Sequence, residues 1–173
     1  MQHISHYENN IPEGWLLVKA SEVISLLSGR DLESSRCNSV QEGIPYLIGA
    51  SNLQNGEISI TRWTSTPEVI STKGDILLSC KGTVGEIAEN TIGDVHIARQ
   101  FMALKSKGLD HGYLKLFVEA KVPLLKTAAK GVIPGISRDD ILEMLISVPP
   151  YAEQIRIAAT VSHYMTIIES IHR

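Results

Sequence analysis

A few short patterns in this chain have the residue types that catalysis or ligand binding requires. Glu119-Ala120-Lys121 is an acid-x-Lys triplet, which needs a preceding carboxylate on a sheet to hold a metal for phosphodiester cleavage. The triplet falls in a stretch of helical period with Asp110 as the only near acid, so that geometry is not expected. Val148-Pro149-Pro150-Tyr151 looks like the catalytic motif of nucleic-acid methyltransferases. It lacks the leading Asn or Asp that would hold the target amino group, and no glycine-rich cofactor loop accompanies it. Lys81-Gly82-Thr83-Val84-Gly85 has glycines and a cation but not the spacing of a nucleotide-binding loop, and no helix is expected after it. It reads as a hairpin tip able to approach a DNA backbone. His3 and His6 have helical spacing without a third ligand, and Cys37 and Cys80 form no metal or disulfide pattern. The expectation is a chain with no catalysis, cofactor or metal of its own.

The elements that would position binding residues are legible from hydrophobic period. Residues 1–13 read as a flexible lead-in. Trp15 opens a strand, and Val23 to Leu27 read as a short helix with Ser21 as N-cap and Gly29 as terminator. Arg30 to Gly43 is polar and without period, a loop long enough to point to function. Strands are expected at Ile44–Ile48, Ile58–Trp63, Asp75–Ser79, Val84–Ala88 and Phe101–Lys105, separated by Gly, Asn and Asp. Asn55-Gly56 is a hairpin signal. After Gly112, Tyr113, Leu116, Phe117, Ala120, Leu124 and Leu125 mark an amphipathic helix that Pro123 should break or kink. Ser137, followed by Asp139 and Asp140, is placed to cap a short helix. Leu145 to Val148 alternate as a strand before Pro149-Pro150.

From there the chain reads as helix to its end. Ile157, Val161, Tyr164, Ile168 and Ile171 are spaced 4-3-4-3, as in a coiled-coil seam, and the chain stops at Arg173 in mid-pattern. The seam is barely two heptads, so docking on the domain's own core is an equal alternative. The fold class expected is α+β: a twisted mixed sheet with short helices over 14–150, then a coiled-coil-type helix over 151–173.

The chain has 173 residues, 43% hydrophobic and 20% charged, which suits one ordinary globular domain. Its apolar runs are far shorter than the ~20 residues that span a bilayer, and the N-terminus lacks an export signal. A cytoplasmic location is expected. The net charge is −3, against the basic footprint of a stand-alone nucleic-acid binder. The distribution differs: Arg99, Lys105, Lys107, Lys115, Lys121, Lys126 and Lys130 face only Asp110 and Glu119 in their segment. That run is either the solvated face of a helix or a patch for an acidic partner.

Four segments, in order, resemble the target-recognition domains of Type I restriction-modification specificity subunits, the HsdS family. They are Gly14-Trp15 with Val18-Lys19 and Ser28-Gly29-Arg30; Gly43-Ile44-Pro45-Tyr46 with Gly49, Asn52-Leu53 and Asn55-Gly56; Lys73-Gly74-Asp75-Ile76-Leu77-Leu78-Ser79 with Gly82-Thr83-Val84-Gly85; and Gly131 to Ser137, Ile146 to Pro150 and Glu153 to Ala158. The resemblance implies a non-catalytic reader of one half of a split double-stranded DNA target. It also implies methylation subunits that bind S-adenosylmethionine and a restriction subunit as partners, and a helix paired antiparallel with a second one. Self-pairing through Ile157, Val161, Tyr164, Ile168 and Ile171 would read a symmetric target.

The resemblance does not fix the DNA-contacting residues, so side-chain chemistry selects them. Arg30, Arg36, Asn38, Ser51, Asn52, Arg62, Arg99 and Gln100 suit base edges. Lys81, Thr83, Lys130, Ser137 and Arg138 suit phosphates. The rival readings are an adaptor that works through its helix and, less favoured, a free-standing metal-dependent nuclease.

Overall fold

The computed structural model describes residues 11–54, 56–128 and 135–171. Strand β1 (Leu16–Lys19) leads into a single helical turn, α1 (Ala20–Val23), and then β2 (Ile24–Ser28). Strands β3 (Ile44–Leu47) to β11 follow in rapid succession: β4 (Leu53–Gln54), β5 (Glu57–Ile58), β6 (Trp63–Thr64), β7 (Ile70–Ser71), β8 (Ile76–Ser79), β9 (Ile87–Glu89), β10 (Val95–Ile97) and β11 (Phe101–Ser106). Helix α2 (His111–Ala128), the short α3 (Arg138–Leu142), β12 (Leu145–Val148) and the long α4 (Tyr151–Ile171) complete the α+β architecture.

The central sheet, ordered β2-β11-β8-β9, is antiparallel throughout. Its two faces supply two cores. Ile24, Leu26, Ile76, Leu78, Met102 and Leu104 meet Leu114, Val118, Val122 and Leu125 of α2. Leu77, Phe101 and Ala103 point the other way, onto Leu47, Val95 and Ile97 of the second sheet, β6-β3-β10-β7. Burial on both faces is why Ile76-Leu77-Leu78 is a continuous apolar run rather than an alternation. In the second sheet β10 runs parallel to β3, and β1 pairs with β12 to tie the start of the domain to its end.

Several expectations change. The Val23 to Leu27 stretch is not a helix capped by Ser21: the helix is confined to Ala20–Val23, and Ile24–Ser28 pairs with β11 from Met102↔Ser28 to Ser106↔Ile24. Cross-strand pairing that buries Ile24 and Leu26 outweighs a weak local helical period. The single strand expected over Ile58–Trp63 divides into β5 and β6, which pair with β4 and β3 respectively. Strand β9 starts at Ile87 rather than Val84, while β7 and β10 are strands the sequence reading did not identify. Pro123 lies inside α2, which continues to Ala128. The strands flanking the hairpin signal are paired, Leu53↔Ile58 and Gln54↔Glu57, with Gly56 at φ 79°, while Asn55 lies outside the described residues.

The recurring short motifs have structural work. The Asp75 carboxylate of Lys73-Gly74-Asp75 accepts from Thr72 N–H at 2.7 Å and Ser71 Oγ–H at 3.0 Å, and pairs with Lys105 at 2.9 Å. Ser137 and Asp140 form a reciprocal capping box at the start of α3. Gln154, buried in the first turn of α4, accepts from Asp110 N–H at 2.8 Å and donates to Pro149 C=O at 2.9 Å. Those two bonds fasten the long helix to the domain.

Candidate nucleic-acid interface

The long polar loop that starts at Arg30 is pinned at several points. Arg36 donates to Thr66 Oγ1 at 2.9 Å and to the carboxylate of Glu68, which also pairs with Arg30 at 3.1 Å. The Asn38 side chain folds onto its own loop, accepting from Val40 and Glu42 N–H at 3.1 and 3.0 Å. The Tyr46 hydroxyl accepts from Leu32 N–H at 3.2 Å, and its ring lies 4.8 Å from that of His96.

His96, fully buried, is the hub beneath this loop. Its Nδ1 accepts from the Glu68 and Val69 amides at 3.3 and 3.2 Å, so Nε2 carries the proton and donates to Arg30 C=O at 2.8 Å. Burial pushes the imidazole below its ordinary value, against the opposing influence of these hydrogen bonds. At high pH the ring is neutral in both folded and unfolded chains. As pH falls below the ordinary histidine value near 6.5, the unfolded chain takes up a proton that the folded ring resists, and stability is lost until pH passes the folded value. The urea midpoint of the wild type is therefore expected to fall between about pH 7.5 and about pH 5.5, while His96→Asn, though less stable, flattens that slope. An equal slope in the variant would show that another group is responsible.

The loop, the end of β3 and the turn before β11 meet in one surface. The Arg99 guanidinium pairs with Asp31 at 2.8 Å. Its neighbour Gln100 packs its amide on buried Gly49, where an added Cβ would stand 2.5 Å from Oε1 and displace the amide. The same amide oxygen is 3.5 Å from the Cβ position of Gly82, beside Lys81 and Thr83. Between the long loop and the end of β3 lies a cleft of about 190 Å³, lined by Leu32, Ser34, Cys37, Tyr46, Ile48 and Arg62.

A family profile described as the Type I restriction modification DNA specificity domain matches residues 12–173. The chain belongs to this family. The specificity domain is 27% identical over 165 residues to the Type I restriction enzyme MjaVIII specificity subunit of Methanocaldococcus jannaschii, covering 94% of this chain and 39% of that protein. It superposes on the HsdS subunit from Thermoanaerobacter tengcongensis with a TM-score of 0.84 at 26% identity, over 95% of this chain and 40% of the other. A chain from a structure of type I R-M complex assembly and conformational transition gives 0.86 at 25% identity, over 94% and 41%. The specificity domain thus spans about two fifths of the length of the relatives it matches.

Within the specificity domain the residues selected by chemistry divide into two groups. Arg36, Asn38, Asn52, Ser137 and Arg138 are engaged internally. Asn52 is buried and holds the turn after β3 through Ile48 N–H at 2.9 Å and Ser59 C=O at 2.8 Å. Arg138 donates to Leu26 C=O at 2.9 Å and Ser28 Oγ at 3.0 Å, and Ser137 is the helix cap. Arg30, Ser51, Arg62, Lys81, Thr83 and Arg99 are exposed, while Gln100 is half-buried. Lys130 lies outside the described residues, as do His3 and His6. Two organising residues, His96 and Glu68, escaped the sequence reading, and Gln154 entered it only as part of the segment Glu153 to Ala158. For His96 the apolar neighbours Val95 and Ile97 were the available signal.

The residues weighed for metal chemistry have other partners. Glu119 pairs with Lys115 one turn away at 3.8 Å, and Asp110 Oδ1 accepts from Tyr113 N–H at 3.0 Å at the start of α2. Among the described residues no group of three or more His, Cys, Asp or Glu is arranged to hold a metal ion, and no helix is long and apolar enough to cross a membrane.

Helix α4 changes environment along its length. Gln154 and Ala158 are buried against the domain, and Ile157 lines a groove with Tyr113, Leu116 and Phe117 of α2. From Ala159 onward every described residue is exposed, including Val161, Tyr164, Met165, Ile168 and Ile171. Of the seam residues, Ile157 lies at the domain end of the helix, and Val161, Tyr164, Ile168 and Ile171 lie on its exposed part.

Proposed function

We propose that this chain is the sequence-reading part of a Type I restriction-modification system. It binds one half-site of a split double-stranded DNA target and directs methylation and restriction subunits to it, without catalysis or cofactor of its own. The observation that carries this reading is the match of the DNA specificity domain over residues 12–173. The surface joining Arg30, Arg62, Lys81, Arg99 and Gln100 supports it with exposed cations and amides set on a pinned loop and two tight turns.

In this reading residues 14–150 form the recognition unit and 151–173 the spacer helix. The apolar side chains exposed beyond Ala159 pair with a second helix, here that of another copy, so that two units read two half-sites. The work takes place in the cytoplasm, where S-adenosylmethionine-bound methylation subunits share the clamping of the DNA.

An overall charge of −3 makes the isolated chain a weak DNA binder whose affinity depends on few phosphate contacts. With about four such contacts the logarithmic salt slope is about −3.6, a loss on the order of a hundredfold between about 50 and 200 mM salt. Fluorescence anisotropy on duplex DNA checks this, and tight binding independent of salt would contradict it. Co-purification with candidate methylation subunits, followed by mapping of methylated sites, tests the function itself. A complex that methylates no defined sequence would refute it.

A further inference from the structure

The cleft between the long loop and the end of β3 separates one arginine from all the others. Of the arginines among the described residues, Arg30 and Arg36 share the Glu68 carboxylate, Arg99 is paired with Asp31, Arg138 is bound to β2, and Arg156 pairs with Glu153. Arg62 alone keeps a guanidinium with no acid or hydrogen-bond acceptor among the described residues. Its fork need not break an existing ion pair to engage a ligand.

Its backbone, by contrast, is fixed. Arg62 C=O accepts from Tyr46 N–H at 2.8 Å, and the adjacent Trp63 exchanges two hydrogen bonds of 2.9 Å with Asn38. The side chain therefore starts from a rigid sheet edge and borders a concavity whose other walls include Leu32, Tyr46 and Ile48, the last 40% exposed. At about 190 Å³ the concavity is below the ~300–1,000 Å³ usual for small-molecule sites. It is too small to enclose such a ligand, and Arg62 at its border is exposed, so the guanidinium can reach a partner outside it. Leu32 and Ile48 offer apolar contact beside the guanidinium, and a partner that cannot accept its N–H groups leaves them without the bonds the site is built to make.

We propose that this cleft reads one G·C pair of the target. Arg62 donates two N–H groups to the two acceptors of the guanine edge in the major groove, while Leu32 and Ile48 close the space around them. The inference rests on the DNA-reading function proposed above and assigns specificity at one position to one residue. It gives Arg36 and Asn38, on the same loop, a supporting role.

The test is selection of a randomised double-stranded DNA pool by the full chain, wild type against Arg62→Ala and Arg62→Lys, with melting temperatures measured in parallel. Wild type is expected to enrich a motif containing a G·C pair. Arg62→Ala should keep the rest of the motif and relax that pair by at least about tenfold, within the range of a bidentate contact. Arg62→Lys, which keeps the charge but not the fork, should retain overall affinity and lose discrimination. Both variants should melt like the wild type because the side chain holds nothing in the fold. A uniform fall in affinity with every motif position preserved would make Arg62 a phosphate contact and overturn the proposal, as would an unchanged motif. A wild type that enriches no motif at all would instead remove the DNA-reading function on which the proposal depends.

Discussion

Replacing Gly29 with alanine is expected to lower the stability of the domain by at least about 3 kcal/mol. The position has ordinary backbone angles, so the cost is not one of conformational freedom. It comes from contact: a Cβ on Gly29 would stand 2.0 Å from the Ala98 carbonyl oxygen and 2.6 Å from both Ala98 C and Ile97 O. All three are backbone atoms, so no side chain can rotate out of the way. Gly29 N–H is itself bonded to Phe101 C=O at 3.0 Å, and Arg30 N–H to Ile97 C=O at 2.9 Å. Relief of the clash therefore breaks the bonds that join β2 to the β10–β11 connection. In a chain of this size the loss corresponds to a drop of about 6–12 °C in melting temperature. Gly56→Ala is the internal comparison, because Gly56 has a positive φ of 79° with nothing within 4 Å of its Cβ position. Its cost is the left-handed backbone alone, about 1 kcal/mol. Thermal unfolding of the two variants side by side checks the argument, and equal shifts would sink it.

Gln154→Ala is expected to cost about 2–4 kcal/mol and to loosen the attachment of α4. Truncation leaves Asp110 N–H and Pro149 C=O without the amide that satisfies both, and an orphaned buried polar group costs about 1–3 kcal/mol. One turn further on the two long helices pack closely, for a Cβ on Gly112 would come within 2.9 Å of Ala158 Cβ. Without the two hydrogen bonds that set the helix in register, this close contact cannot be held. Hydrogen exchange across 151–158 should accelerate more than exchange in the central sheet. Glu153→Ala, which removes only an exposed pair with Arg156 at 3.0 Å, should change stability by less than about 0.5 kcal/mol. If both variants behave alike, Gln154 is not the fastening.

The Gln154 result bears on function through geometry. In the function proposed above, a reader of a split target holds its recognition surface at a fixed angle to the spacer, and α4 is exposed throughout its described length after Ala159. The angle is therefore set within the first two turns, by Gln154, Ala158 and the groove around Ile157.

Much of this protein was legible in its residues because local patterns carried the signal. The Asn55-Gly56 hairpin, the Ser137 cap, the α2 period and the long C-terminal helix are each specified by neighbours within a few positions. The family, too, was readable from four ordered segments, and within them Asp75, Ser137 and Gln154 each satisfy backbone groups near their own position. The errors occurred where distant partners decide. Ile24–Ser28 is a strand because β11 lies beside it, and β10 exists because β3 and β7 flank it on either side. Pro123 is accommodated in α2, whose apolar face is packed on the central sheet.

The candidate site divides along the same line. Residue type alone marked Arg30, Arg36, Arg62 and Arg99 as equivalent donors for DNA, since all four are arginines in polar or punctuated stretches. Only the tertiary structure separates them, because whether a guanidinium is available depends on which carboxylate the fold places beside it. Glu68 and Asp31 take three of the four, and Arg62 is left facing a cleft. The sequence by itself determined the local elements, through turn, cap and period signals, and the kind of protein, through the resemblance of four ordered segments. Which side chains remain free to act was decided by long-range contacts, and those have no local signature.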